Sequence, residues 1–299
     1  MRKKILLTLT ILLSLSAVLI IKNIKNINEF VSYIRVNNKI KSLTPVFFKT
    51  ETLPYGTNPR QYVKIYYPEN PSKNEIVFYI HGGGWKNGSP EGNTIVASFF
   101  VSKGYITVMP AYGLVPETVY PQMAEDIFKA FKSTDDIFSK EKINIPPEYI
   151  ICGASAGASL AAILISDKIL SKKYSIDKNK FKALITFGGV LSFSESSSGH
   201  IASLISAFNP ENIPEADPIS LIDASLNTDV FCIHSESDGV VPFSNSASYI
   251  KKINSFHSGK GNLIVFNKLT HDRTIYYPFI KNGPEKSAMD DILKKISGL

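Results

Sequence analysis

The sequence predicts an α/β fold with a mainly parallel central sheet of about eight strands and helices on both of its faces. Short runs rich in β-branched and aromatic residues alternate with helical stretches along most of the chain, which is typical of parallel strands joined by crossover helices. The chain has 299 residues and is 44% hydrophobic, so it can bury one large core.

The predicted elements follow one another in a regular order. Helical stretches are clearest over residues 123–138 and 156–170. The continuous apolar strands near residues 150, 185 and 231 are expected at the centre of the sheet, because strands buried on both faces carry no polar alternation. Strand-like runs span residues 62–67, 76–80, 105–110, 149–152, 183–187, 230–234 and 263–266.

A glycine-rich loop follows the second of these runs. The strand-like segment from Glu75 to Ile80 leads directly into His81-Gly82-Gly83-Gly84-Trp85. Consecutive glycines can point their backbone N–H groups into a cleft, so Gly83 and Gly84 are candidate donors to an oxyanion. A phosphate-binding loop would end in Gly-Lys-Ser/Thr, and that ending is missing.

A small-residue turn follows the strand near residue 150. Gly153-Ala154-Ser155-Ala156-Gly157 has the G-x-S-x-G pattern of a nucleophile elbow, in which a strained serine lies between a strand and a helix. Gly153 and Gly157 would let the strand and the helix approach closely, and the Ala156 N–H would point at an oxyanion. Taken alone, the pattern also fits an ordinary Gly/Ser loop.

With both motifs, the chain resembles the α/β-hydrolase superfamily, and within it the HGGG-type carboxylesterases and kynurenine-formamidase-like esterases. The resemblance covers roughly residues 45–299. The stretch from Ala111 to Glu117 also resembles the family's segment after the fourth strand, where Gly113 stands in place of the usual arginine. The resemblance implies a catalytic acid and then a histidine after the serine, with no metal or cofactor.

The resemblance selects Asp238 as the acid, because this residue precedes the Gly-Val-Val-Pro turn; Glu236 is the competing carboxylate. His271 follows the last strand-like run, which is where the catalytic histidine is expected. The other histidines are interpreted as structural or exposed residues: His81, His200, His234 and His257.

The expected function is hydrolysis of carboxylic esters with short acyl chains. Ser155, His271 and Asp238 would form the triad, and Gly83, Gly84 and Ala156 the oxyanion hole. The expected substrate is a small-molecule or acetylated-carbohydrate ester. Two alternatives stay open, namely an amidase or peptidase-type hydrolase on the same triad and a non-catalytic surface binding protein. No zinc-type Cys/His spacing and no EF-hand loop is present in the sequence.

The N-terminus predicts export. Met1-Arg2-Lys3-Lys4 precedes an apolar run from Ile5 to Ile21, so residues 1–22 are interpreted as a signal anchor or signal peptide. An uncleaved segment would leave the catalytic domain outside the cytoplasm on the cell membrane, whereas cleavage would secrete it. Residues 23–44 form a basic juxtamembrane segment that is expected to lie as a helix near the membrane.

Residues 190–227 interrupt the strand–helix alternation with a Ser-rich stretch and three prolines, which predicts a small cap over the serine. A plain surface connection is the alternative.

The net charge of +7 fits an anionic lipid or wall polymer as a partner, and no nucleic-acid-binding motif accompanies this charge. Cys152 and Cys232 fall on strands that are not expected to be neighbours, which favours two buried thiols over a disulfide. The sequence indicates no oligomeric state.

Overall fold

A computed structural model describes residues 24–140, 147–197, 199–280 and 282–298. Its strands form one eight-stranded sheet in the order β1-β2-β4-β3-β5-β6-β7-β8. The pairs β1–β2 and β2–β4 are antiparallel, and the other five pairs are parallel, which confirms the predicted fold class. The strands are β1 (Lys49–Pro54), β2 (Tyr62–Tyr67), β3 (Glu75–Ile80), β4 (Ile106–Pro110), β5 (Glu148–Ala154), β6 (Phe181–Phe187), β7 (Asp229–Ser235) and β8 (Gly261–Phe266).

Helices and short 3₁₀ turns connect the strands. Residues 24–41 are helical and are labelled α1. The other helices are α2 (Thr94–Ser102), α3 (Gln122–Lys140), α4 (Ala156–Ser166), α5 (Lys168–Lys173), α6 (Gly199–Phe208), α7 (Ser244–Phe256), α8 (His271–Ile280) and α9 (Pro284–Ser297). The 3₁₀ turns are Glu91–Asn93, Lys178–Lys180, Ser194–Ser196, Pro214–Ala216 and Pro218–Leu221.

The helices cover both faces of the sheet. Phe78 and Ile80 of β3 pack on one face with side chains of α3, α4 and α7. Val77 and Tyr79 of the same strand pack on the other face with α2, α8 and α9. This alternation follows from the two-residue period of a strand and explains why β3 is buried along its whole length.

Three features differ from the sequence prediction. The edge strand β1 was missed, because its largely exposed KTETLP sequence carries little hydrophobic signal. The helix predicted over 156–170 is two helices, because α4 ends at Ser166 and the Asp167 carboxylate accepts a 2.8 Å hydrogen bond from Leu170 N–H to start α5. The strand near residue 231 lies second from the sheet edge, and it is still buried because α7 and α8 pack against it.

The two cysteines lie on non-adjacent strands, as the sequence predicts. Cys152 in β5 and Cys232 in β7 are separated by β6, and both are buried free thiols.

The N-terminal helix α1 packs onto the α/β domain along one face. Ser32 and Val36 are buried, whereas Ile24, Ile27 and Phe30 are exposed. In the described residues, no helix has the length and apolar character needed to cross a bilayer. The predicted signal segment, residues 1–22, lies outside the described residues.

Candidate active site

Ser155 lies in a strained turn between β5 and α4. Its backbone has φ 50° and ψ −120°, a conformation that costs a non-glycine residue on the order of 1–3 kcal/mol. Its N–H donates to Phe187 O at 2.9 Å, and its own carbonyl accepts from Ala158 N–H at 3.0 Å. These bonds hold the turn so that the hydroxyl projects from the end of the strand.

Two glycines allow the close packing around this turn. A Cβ on Gly157 would lie 2.3 Å from the carbonyl oxygens of both Ile80 and His81. A Cβ on Gly153 would lie 2.5 Å from Gly157 O. The start of α4 can therefore approach β5 and the end of β3 only because both positions lack a side chain.

The glycine-rich loop after β3 lies directly beside the serine. A Cβ on Gly82 would lie 2.9 Å from Ala154 O, and Gly83 and Gly84 have φ of 123° and 61°. In the described part of the chain, the N–H groups of Gly83, Gly84 and Ala156 donate to no protein acceptor. The structure thus leaves all three predicted oxyanion-hole donors available beside Ser155.

The glycine-rich loop is braced from the neighbouring loop after β4. Tyr112 donates from its hydroxyl to His81 O at 2.7 Å, and its ring stacks on the His81 imidazole at 4.3 Å. Arg60 then links the two loops, because its Nε donates to Tyr112 O at 2.7 Å and its Nη2 to Gly88 O at 2.8 Å. This arginine precedes β2, and no sequence motif identified it.

Gly113, which stands where the resembling family has an arginine, has no room for a side chain. A Cβ there would lie 2.2 Å from Thr118 Oγ1. Its N–H donates to Asp126 Oδ2 at 3.0 Å. The loop is therefore held through its backbone at this position.

The structure brings Ser155, His271 and Asp238 together. His271 Nε2 lies 2.9 Å from Ser155 Oγ, and His271 Nδ1 lies 2.7 Å from Asp238 Oδ2. The second carboxylate oxygen, Asp238 Oδ1, accepts from the N–H groups of Val240 and Val241 at 2.9 Å each. All three side chains are buried. Ser155 and Asp238 lie on the turns that follow β5 and β7, and His271 is the first residue of α8, which follows β8.

The two buried ionisable partners shift each other's pKa. Burial lowers the pKa of His271, but the negative charge of Asp238 and its hydrogen bond outweigh burial and raise the pKa above the ordinary 6.5. Burial raises the pKa of Asp238, but the charge on His271 and hydrogen bonds from His234 and His271 outweigh it and hold the pKa below its usual range. The pair is therefore arranged to stabilise an imidazolium next to a carboxylate.

The competing candidates have other surroundings, although one of them, His234, also lies near the acid, with its Nε2 3.5 Å from Asp238 Oδ2. Glu236 is exposed to solvent. His81 is buried against Tyr112, and burial lowers its pKa to about 4. His234 Nδ1 is hydrogen-bonded to Ser246 Oγ at 2.7 Å, and His257 Nε2 is hydrogen-bonded to Ala224 O at 2.7 Å. None of these four contacts Ser155.

A cavity of about 840 Å³ opens over Ser155. Leu204 and Ile201 of α6 line it together with Ser155. Trp85 of the glycine-rich loop stacks on Phe208 of α6 at 4.7 Å, so the loop and the helix are packed together.

The contribution of α1 to this cavity is a feature that sequence reasoning missed. Four residues of α1 line it: Tyr33, Val36, Asn37 and Ile40. A neighbouring residue, Glu29, accepts hydrogen bonds from the loops that carry Asp238 and His271. The available signal was that Glu29 is the only acidic residue before Glu51 in an otherwise basic segment.

The fold and the site define a hydrolase of the α/β-hydrolase type. A model of the BD-FAE family matches residues 63–253, which is more than half of the chain. The chain therefore belongs to the BD-FAE family, a family of α/β-hydrolase esterases.

Individual relatives agree with this assignment. The chain is 31% identical to an arylacetamide deacetylase from Oryctolagus cuniculus over 55% of this chain and 45% of the relative. It is 31% identical to a kynurenine formamidase from Salmo salar over 38% of this chain and 37% of the relative. The chain thus spans less than half the length of both relatives. Esterase B from Lactobacillus Rhamnosis has a similar fold, with a TM-score of 0.68 and 17% identity over 93% of this chain and 95% of that one.

We expect the pKa of His271 to lie above 6.5 and to fall in Asp238→Asn, because the variant keeps the burial and removes the charge that favours the imidazolium. An NMR pH titration of the His271 ring, assigned with His271→Gln, measures this pKa. Glu236→Gln is the matched control, because it removes an exposed carboxylate two residues before Asp238. We expect this variant to change the pKa of His271 far less than Asp238→Asn does. An unchanged pKa in Asp238→Asn would contradict the assigned pairing.

Proposed function

We propose that the protein is a serine carboxylesterase that cleaves short-acyl esters through Ser155, His271 and Asp238. The observation that carries this proposal is the buried hydrogen-bonded chain from Asp238 through His271 to Ser155, at 2.7 Å and 2.9 Å. A serine hydroxyl is a weak nucleophile unless an adjacent base accepts its proton, and this geometry supplies that base.

In the first step, His271 Nε2 accepts the proton of Ser155 while Oγ forms a bond to the ester carbonyl carbon. Asp238 accepts the Nδ1–H, which fixes the tautomer in which Nε2 is free to act as the base. The carbonyl oxygen becomes an oxyanion, and the N–H groups of Gly83, Gly84 and Ala156 are the available donors to it. One such donor typically changes the rate by about 100- to 1,000-fold.

Collapse of this tetrahedral intermediate breaks the bond to the alcohol oxygen, which takes the proton from His271 Nε2. The acyl group then remains on Ser155. Water attacks the acyl carbon as His271 removes its proton, and the second intermediate releases the acid and restores the Ser155 hydroxyl. No step needs a group other than the residues named and water.

The preference for short acyl chains rests on the position of α6. The nearest Leu204 methyl lies 2.9 Å from where a Cβ on Gly84 would be, so this leucine lies directly over the glycine-rich loop. Leu204 also lines the cavity at Ser155, so an acyl chain that extends toward α6 would meet this leucine. A small-molecule ester or an acetylated carbohydrate fits this constraint.

Amide hydrolysis on the same triad is the second candidate. The specific observation in its favour is the 31% identity to a kynurenine formamidase, and the other relative carries the name of a deacetylase. Both would use the same acyl-enzyme chemistry, with an amine in place of the alcohol as leaving group.

We expect the full chain to hydrolyse p-nitrophenyl esters with an optimum at acetyl or butyryl and little turnover at decanoyl. Ser155→Ala is expected to lower kcat by at least about 10⁴-fold, because no nucleophile remains. Ser102→Ala, which removes an exposed hydroxyl on α2, is the control and keeps full activity. Equal turnover by Ser155→Ala and the parent would contradict the serine mechanism, and turnover of aryl amides alone would favour the amidase.

We also propose that the protein is exported and held on the cell membrane by residues 1–22, with the catalytic domain outside the cytoplasm. Two observations support this location. The N-terminal sequence has a charged start and a 17-residue apolar body from Ile5 to Ile21. The helix that follows exposes the apolar side chains of Ile24, Ile27 and Phe30, which suits contact with the apolar part of a lipid surface.

Fractionation of cells that produce the full chain tests this location. The protein is expected in the membrane fraction, accessible to protease added outside the cytoplasmic membrane, and a variant that lacks residues 1–22 is expected to remain in the cytoplasm. Recovery of a shortened chain from the medium would instead establish secretion after cleavage.

A further inference from the structure

The carboxylate of Glu29, on α1, reaches the backbone of two catalytic loops. Its Oε1 accepts from Gly239 N–H at 2.7 Å, and its Oε2 accepts from His271 N–H at 3.0 Å. Gly239 directly follows Asp238. One side chain from outside the central α/β core therefore bonds both loops that supply the acid and the base.

We propose that Glu29 is a positioning residue, which fixes the Asp238 loop relative to the His271 loop and so makes α1 an integral part of the active site. This inference rests on the proposed esterase mechanism. Glu29 does not reach the reacting atoms; it acts through the backbone of the residues that do.

Two further features fit the position of the Glu29 carboxylate between the two loops. A Cβ on Gly239 would lie 2.6 Å from Glu29 Cγ, so the approach of Glu29 requires a residue without a side chain there. Ser32, one turn further along α1, is hydrogen-bonded through its hydroxyl to Thr270, the residue before His271. The helix is thus attached to the catalytic loops at three points.

The hydrogen bond from His271 N–H to Glu29 also caps the N-terminus of α8. His271 is the first residue of α8, and the first N–H groups of a helix have no partner within the helix. A carboxylate at this position accepts one of those N–H groups and interacts favourably with the helix dipole. The orientation of the His271 backbone, from which the imidazole extends to Ser155, is therefore tied to Glu29.

Glu29 contributes charge as well as geometry. Burial raises the pKa of Glu29, the two backbone hydrogen bonds lower it, and the charge of Asp238 raises it. As a carboxylate, Glu29 joins Asp238 and Asp272 in raising the pKa of His271. His234 faces Asp238, and five charged groups line the cavity beside Glu29: Lys25, Arg35, Glu236, Lys268 and Arg273. Four further titratable groups line the cavity at Ser155 together with His271 and Asp272: Tyr33, Lys86, His200 and Tyr276.

Glu29→Gln in the full chain is the decisive variant. The amide has the shape of the carboxylate but only one oxygen, so it can keep one of the two backbone bonds, and it removes the charge. Glu236→Gln is the matched control, because it makes the same change at an exposed carboxylate in the Asp238 loop. Kinetics are normalised to active sites titrated with a phosphonate, so that loss of folded protein does not count as loss of rate.

In Glu29→Gln, we expect kcat per active site to fall about 10- to 100-fold with KM changed less than about threefold, because small displacements of catalytic groups cost rate rather than binding. The acid side of the pH profile of kcat/KM is expected to move to lower pH, since loss of the negative charge lowers the pKa of His271. Glu236→Gln is expected to match the parent in both measurements. Unchanged kcat and an unchanged pH profile in folded Glu29→Gln would overturn the proposal, as would a loss of activity explained wholly by fewer titratable sites.

An NMR titration of His271 separates this proposal from the proposed function, because it needs no substrate. If the parent turns over no ester or amide, the esterase proposal fails. A lower His271 pKa in Glu29→Gln than in the parent would still support the positioning role, and equal values would overturn it.

Discussion

The hydrogen bond between His271 Nε2 and Ser155 Oγ is the interaction on which the site depends, and it can form only because the site's loops end at one edge of the sheet. The loops after β3, β5, β7 and β8 all leave the carboxyl ends of parallel strands. Parallel pairing therefore brings the glycine-rich loop and the three residues of the proposed triad to one place. Neither antiparallel pair contributes a triad residue.

Close backbone packing around Ser155 leaves no room for side chains at the glycine positions of the site. Gly157 brings the start of α4 against the ends of β3 and β5, and Gly82 brings the glycine-rich loop against Ala154. The strained backbone of Ser155 is maintained by its surroundings, because the residue is buried and its backbone is hydrogen-bonded to Phe187 and Ala158. The N-terminal helix α1 also helps to fix the geometry of the site, because Glu29 accepts hydrogen bonds from the backbone of Gly239 and His271.

Much of the fold and of the site could be predicted because it depends on local pattern. The apolar strands have a distinct composition, and Gly153 to Gly157 and His81 to Trp85 combine small residues with a strand that immediately precedes them. The family resemblance that these motifs carry then indicated Asp238 as the acid and His271 as the histidine. The edge strand β1 and the break at Asp167 were missed because exposure and capping leave weak hydrophobic signals. The partners of Glu29 could not be predicted, because they are backbone N–H groups 210 and 242 residues away and carry no sequence signature. The one available signal was the isolation of this carboxylate in an otherwise basic segment.

The most direct test of the account is covalent labelling of the full chain with a fluorophosphonate, followed by peptide mass spectrometry. The account predicts one equivalent of label on Ser155, with a labelling rate at least about 100-fold lower in His271→Gln, because the reagent reports a serine activated by an adjacent base. Absence of label from Ser155, or equal labelling rates in the parent and His271→Gln, would contradict the claim that His271 activates this serine.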